Sequence, residues 1–264
     1  YIPLTYLSYM LEIAIAGLDP GFMHATNLLL HLANVLLVYG LFRLLGLQSR
    51  GAFVGALAFA IHPLQAETVA WLMGRKDLLA TMLALTALLS YELGRRRNDA
   101  VPWLAAAFLA FVAAILAKPA LIILPALLVL LDLRRERDWG KVGWLQILPF
   151  LLAASVVFGL HLSMPRRGGP VPAPAVRLAG LCWLGWHWFR QLLLLGRPVP
   201  LYCWPPRLAW LGLPVFAAFA GLLAAAWRRR WTWIWFGLGF WALAFAPAAK
   251  IVLDHRDFIT ADRY

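Results

Sequence analysis

Two carboxylates, a histidine and two cations fall close together in the stretch from His62 to Ala80, HPLQAETVAWLMGRKDLLA. Glu67 and Asp77 are the acids. A carboxylate in such a position can take a proton from a hydroxyl as that hydroxyl attacks. Arg75 and Lys76, with Lys118 further along the chain, supply the positive charge that a departing phosphate needs. The set suits group transfer from a phosphorylated donor to a hydroxyl, with Glu67 and Asp77 as catalytic candidates. Asp77 also has a plainer reading, as a local ion pair with Arg75 that caps the following helix, because an acid in a first turn suits the helix dipole. Glu67 has no near-sequence partner beyond His62. Lys118 breaks a long apolar block together with Pro119, and a lysine in such a place must reach a partner or an anionic ligand.

His24, Asn27, His31 and Asn34 recur at i, i+3, i+7 and i+10, which puts them on one helix face. Aligned polar groups in an apolar helix point into a bundle and away from lipid. For His31 and Asn34 the plain reading is hydrogen bonding between helices. His24 and Asn27 lie nearer one end of the helix, and there substrate binding and structural bonding stand level. The face carries no carboxylate, which argues against a metal site. The tail DHRDFITADRY alternates acids and bases. It reads either as a solvated loop or, through Asp262 and Arg263, as a further part of the same site.

The elements that must position these residues are membrane helices. Of 264 residues 63% are hydrophobic and 14% charged, and the mean hydropathy is +0.75, whereas a soluble domain carries nearer a quarter of its residues as charges. The net charge of +12 comes from short arginine clusters between apolar runs, the form of topology determinants rather than of a nucleic-acid surface. Cys182 and Cys203 have no metal or redox spacing. Residues 1–20 are interrupted by Pro3, Glu12 and Asp19–Pro20 and suit a helix lying along the membrane surface. Spans are expected at Phe22–Leu45, at Gly51–Ile61 with a break at His62–Pro63, and at Leu78–Leu93. The block 101–133 would make one helix of roughly 50 Å, too long for a hydrocarbon core of about 30 Å. It reads as a hairpin of two short helices with Lys118–Pro119 at the tip. Further spans are expected at Val142–Leu162, Leu208–Trp227 and Trp231–Ala249, with Val176–Leu195 lying flat at the interface. The short basic loops at 43/50, 95–97, 134–141 and 228–230 then share the cytoplasmic side. The His62–Ala80 stretch, Lys118 and the tail share the other side. No internal repeat is visible, which weighs against transporter folds built from duplicated halves.

HATNLLLH, HPLQAETVAW with GRKDLLA, AKPALIILPALLVLLDL and ADRY follow one another in that order. Together they resemble the transmembrane, tetratricopeptide-repeat O-mannosyltransferases and their bacterial relatives, which have the C-type glycosyltransferase fold. YIPL at the start is similar to that family's YRPL, with Ile2 in place of the arginine. The resemblance implies an all-α polytopic bundle with interfacial helices, forming a single transmembrane domain over residues 1–264. It implies a multi-pass enzyme of the bacterial inner membrane with a periplasmic active face. The enzyme would move a sugar, usually mannose, from a polyprenyl-phosphate carrier to a hydroxyl on a protein or glycan, without a cofactor. Lys118, Arg75 and Arg263 would hold the lipid phosphate, and His24, Asn27, His62 and Asp262 would complete the substrate contacts. The family's principal catalytic acid lies in an outer loop that would precede Tyr1, and its helical repeats would follow Tyr264, so the chain reads as a piece of a longer protein. Two other functions stay open: a polymerase or ligase of lipid-linked glycans, and a membrane anchor or transporter whose acids and bases are structural pairs.

Overall fold

The computed structural model describes residues 2–136, 138–163, 190, 202–203, 212–249 and 258–260. These form two compact units, Tyr1–Leu128 with Gly143–His161 and Val129–Val142 with Leu162–Tyr264. The interfacial helix expected at Val176–Leu195 and the tail residues Asp262 and Arg263 lie outside the described residues.

The first unit contains α1 (Pro3–Ala16), α2 (Pro20–Leu44), α3 (Ser49–Ile61), α4 (Pro63–Ala70), α5 (Arg75–Gly94) and α6 (Ala100–Ala117). Short 3₁₀ turns lie at Leu72–Gly74 and Pro119–Ile123. Helix α7 (Leu124–Glu136) begins in this unit, and most of α8 (Trp144–Ser163) lies in it. Among the described residues, three segments are long and apolar enough to cross a membrane: Pro20–Leu44, Leu72–Gly94 and Ala100–Ala117. At 25 residues α2 is about 37 Å long, enough for a core of about 30 Å. Helices α3 and α4 form a pair bent by 55°, either a broken span or a re-entrant loop.

Three X-Pro steps set the ends of these helices. Proline disfavours helical backbone in the residue before it and suits the first helical position after it. Asp19, His62 and Lys118 accordingly have extended ψ values of 109°, 129° and 110° ahead of Pro20, Pro63 and Pro119. The Asp19 carboxylate accepts from the Gly21 amide at 2.8 Å, and His62 Nδ1 accepts from the Leu64 amide at 3.3 Å, so both residues cap the helices they start. The expected break of the 101–133 block at Lys118 is observed, as is the break at His62–Pro63.

Apolar side chains both fill the interior and cover the outer surface, with a few polar groups buried among them. On α2 the buried positions include Asn27, His31 and Asn34, while Leu29 and Leu36 are 66% and 71% exposed. His31 Nε2 meets the Ala60 carbonyl at 3.1 Å, and Asn34 donates to the Leu78 carbonyl at 3.0 Å. These are the interhelical bonds expected of small polar groups in a bundle. Helix α5 lies along α6, and buried Ala80, Ala84, Ala87, Ala107, Ala110 and Ala114 line their inner surfaces, because small side chains let helix backbones approach closely. Phe150 of α8 fills the remaining space against Tyr91, Phe108 and Phe111, with ring centroids 5.5–6.3 Å apart. Helix α1 is not among the segments long enough to span. It departs from the picture of a helix simply resting on a surface: Thr5 and Glu12 are buried while Leu7, Met10, Leu11 and Ile15 are exposed.

In the second unit α9 (Gly212–Arg228) and α10 (Thr232–Ala249) form a helical hairpin. A short antiparallel pair joins β1 (Tyr202–Cys203) to β2 (Phe258–Thr260). Arg134 lies over Trp233 and Phe236 at 4.5 and 5.7 Å from the ring centroids.

Candidate functional site

Helix α1 presents Thr5, Tyr9 and Glu12 at i, i+4 and i+7, one face of a helix, and that face is turned to the bundle. Thr5 Oγ1 donates to the Ala117 carbonyl at 3.2 Å, next to the Lys118 break. Tyr9 donates its hydroxyl to the Leu72 carbonyl at 2.7 Å. Burial raises the Tyr9 phenol above its ordinary 10.0, with the Arg75 guanidinium pulling the other way, so the hydroxyl stays a neutral donor.

Glu12 and Arg75 form a buried ion pair, with their side chains 4% and 1% exposed. Both Arg75 terminal nitrogens donate to the Glu12 carboxylate. The remaining donors reach the Asn27 side-chain oxygen at 3.0 Å and the Met23 carbonyl at 2.9 Å. The guanidinium also lies 4.6 Å from the Tyr9 ring centroid. Thr26 adds a hydroxyl to Glu12 at 2.5 Å. Asn27 in turn donates to the carbonyls of Trp71 and Val69 at 3.2 and 3.4 Å. The α4–α5 link is thereby held by side chains from α1 and α2, beyond its own 3₁₀ backbone bonds. Gly74 completes the link: a Cβ there would meet the Thr68 carbonyl oxygen at 2.0 Å, so only glycine lets these two backbones approach.

Beside this closed layer stands a more open pair. Lys118 Nζ lies 2.6 Å from Asp77 Oδ1, and the two side chains are 24% and 14% exposed. The local Arg75–Asp77 pair that the sequence allows is thus replaced by two longer-range pairs, Glu12–Arg75 and Asp77–Lys118. Side chains two residues apart on one helix do not face each other, so Asp77 cannot offer Arg75 the bidentate geometry that Glu12 does. Lys76 points elsewhere, 6.0 Å above the Trp71 ring. Glu67 is half-buried on α4, and its carboxylate meets no hydrogen-bond or ion partner among the described residues. His24 is exposed at the first turn of α2.

The structure therefore joins Asn27, Arg75, Asp77 and Lys118 in one polar region. It carries Glu67 on α4, with His62 as the cap before it, and α4 packs against α2 and α5. Arg75 and Asn27 are occupied by protein partners, whereas Lys118, Asp77 and Glu67 keep access to solvent or ligand. Glu12, Tyr9 and Thr26 were not among the residues picked out by sequence. Glu12 had a usable signal: a lone acid in an apolar helix requires a partner. Among the described residues, no group of three or more His, Cys, Asp or Glu side chains could hold a metal ion.

The long apolar helices, outward-facing leucines and a buried ion pair define a polytopic, predominantly helical, multi-pass membrane protein. Comparison with known proteins narrows the class. The chain is 45% identical over 94 residues to the mouse protein O-mannosyl-transferase TMTC1, a match covering 35% of this chain and 10% of that protein. It is 40% identical over 91 residues to the human protein O-mannosyl-transferase TMTC2, covering 34% and 11%. With the human protein O-mannosyl-transferase TMTC3 it shares 30% identity over 115 residues, covering 44% and 12%. The chain spans about a tenth of the length of these relatives. No protein-family model matches it, and no solved structure matches it.

Proposed function

We propose that this chain forms part of the membrane core of a glycosyltransferase that transfers mannose from a polyprenyl-phosphate donor to a hydroxyl on a protein or glycan. The observation that carries this reading is its likeness to proteins named O-mannosyl-transferases, joined to a cation–carboxylate region at the helix ends. In the reaction the bond from the sugar's anomeric carbon to the phosphate oxygen breaks, and one to the acceptor oxygen forms. The acceptor proton goes to a carboxylate, and polyprenyl phosphate leaves.

Lys118 is the cation for the donor phosphate. Its pairing with Asp77 keeps the ammonium aimed until an anion competes for it. Arg75 acts behind them, fixing the α4–α5 link through Glu12 and Asn27. Glu67, the carboxylate with no protein partner among the described residues, receives the acceptor proton or orients the acceptor hydroxyl, and Asp77 assists. His24 and His62 contact the acceptor. The site faces the non-cytoplasmic side, the periplasm in a bacterial inner membrane, opposite the arginine cluster at 95–97.

The test is donor titration with the full-length enzyme in native membranes. Loss of one charge-assisted contact, about 1.5–3 kcal/mol, should raise the apparent KM for polyprenyl-phosphate-mannose roughly tenfold or more in Lys118→Ala. Lys118→Arg should recover part of it. An unchanged donor KM in Lys118→Ala sinks the phosphate role.

A further inference from the structure

Two helices in this chain end in the same hydrogen-bonded turn, with different residues at its critical position. At the end of α2, the Gly46 amide bonds the Arg43 carbonyl at 3.0 Å and the Leu47 amide bonds the Phe42 carbonyl at 3.0 Å. At the end of α9, the Arg230 amide bonds the Trp227 carbonyl at 3.2 Å and the Trp231 amide bonds the Ala226 carbonyl at 2.9 Å. Both are Schellman turns, which need a left-handed residue and take glycine by preference. Gly46 supplies it with φ of 96°, whereas Arg230 adopts φ of 58°. Arg230 is the one non-glycine residue with positive φ among the described residues, a conformation strained for a side chain with a Cβ.

The two turns also use their arginines differently. Arg43 donates to the Leu47 carbonyl at 2.9 Å and so closes its own turn. In the second turn the backbone already satisfies the Ala226 and Trp227 carbonyls, and Thr232 donates to the Arg230 carbonyl at 3.3 Å. Arg228, Arg229 and Arg230 are all exposed, and none meets a carboxylate among the described residues. Arg229 lies 5.3 Å from the Trp231 ring centroid, and Trp227, Trp231 and Trp233 are 36–46% exposed around the turn. Tryptophan at this kind of position sits at the level of lipid headgroups. A topology signal needs only net charge, which Arg228 and Arg229 supply without a strained third arginine.

We propose that the Arg228–Trp231 turn is a binding site for the phosphate of an anionic phospholipid headgroup. Three exposed arginines on consecutive residues run across a helical-to-left-handed switch, and guanidinium forks match phosphate oxygens. The exposed indoles set the depth of the turn at the headgroup layer. The proposal stands or falls independently of the transfer reaction.

The test uses full-length protein in detergent, titrated with phosphatidylglycerol, with retained lipid counted by native mass spectrometry. Phosphatidylcholine and inorganic phosphate are titrated in parallel, and phosphate protection is read as a shift in thermal midpoint. A basic residue near an anionic lipid surface is worth roughly fivefold in apparent affinity. Arg229→Gln and Arg230→Gly should each weaken phosphatidylglycerol retention by about that factor. Arg230→Gly should at the same time leave the thermal midpoint in phosphatidylcholine unchanged or higher, because glycine relaxes the turn. Full phosphatidylglycerol retention in Arg230→Gly overturns the proposal. So does equal retention of phosphatidylcholine, or equal protection by inorganic phosphate, which marks a site for free anions.

Discussion

Removing the Glu12 carboxylate should be the most destabilising single change in the first unit. Arg75 is 1% exposed and directs two terminal nitrogens at Glu12, leaving only the Asn27 oxygen and the Met23 carbonyl as neutral acceptors. Glu12→Ala deletes two charge-assisted bonds, each worth about 1.5–3 kcal/mol, and leaves a buried cation without its counter-charge. The sum, about 3–6 kcal/mol, overlaps the roughly 3–5 kcal/mol expected on breaking a buried pair from one side. Replacing both partners with apolar groups, as in Glu12→Leu with Arg75→Met, removes the stranded charge and should recover much of the loss. The measurement is a double-mutant cycle on the purified protein in detergent, read from denaturant or thermal unfolding. The reasoning is refuted if Glu12→Ala loses under about 1 kcal/mol, the value of an exposed pair. It is equally refuted if the double variant is no more stable than Glu12→Ala.

Three further outcomes are expected. Gly74→Ala should destabilise the first unit by about 1–3 kcal/mol, seen as a lower unfolding midpoint, because its Cβ would meet the Thr68 carbonyl at 2.0 Å. Asp77→Asn opens a partly exposed pair, so it should change stability by less than about 1 kcal/mol, while an unpaired Lys118 takes up the donor phosphate more readily and lowers its apparent KM. For Tyr9, whose phenol titrates above 10.0 in the folded chain, the unfolded phenol loses its proton first as pH rises. Stability should therefore fall above about pH 10 and level off once the folded phenol also ionises. Unfolding midpoints measured across that range should show a shallower fall in Tyr9→Phe, which has no phenol to titrate.

The similarity to O-mannosyl-transferases and the placement of Lys118 give the function its chemical content, and they point to different levels of organisation. Likeness speaks to reaction class. Lys118 speaks to how an ammonium is kept in an apolar bundle, 2.6 Å from a carboxylate on another helix. The same bundle keeps Arg75 away from ligand altogether. Two cations that look equivalent on paper, Arg75 and Lys118, thus divide into one that holds the frame and one left able to exchange partners.

What the sequence determined by itself was local and periodic. The apolar runs fixed where helices would lie, since backbone groups in hydrocarbon must bond within the helix. The X-Pro steps at Asp19, His62 and Lys118 fixed where helices would break, because that restriction acts between neighbouring residues. The spacing of Asn27, His31 and Asn34 gave their common inward face. Partner choice was decided only in three dimensions. Arg75 pairs with Glu12, 63 residues away, in preference to Asp77 two residues away, and no local rule measures the geometry of a fork meeting a carboxylate across helices. The inward turn of Glu12, Tyr9 and Thr5 on an outwardly apolar α1 likewise depends on polar partners from α2, α5 and the end of α6. Ion pairing in a low-dielectric bundle is set by which groups the tertiary fold leaves without water, and that is a property of the assembled helices rather than of any one of them.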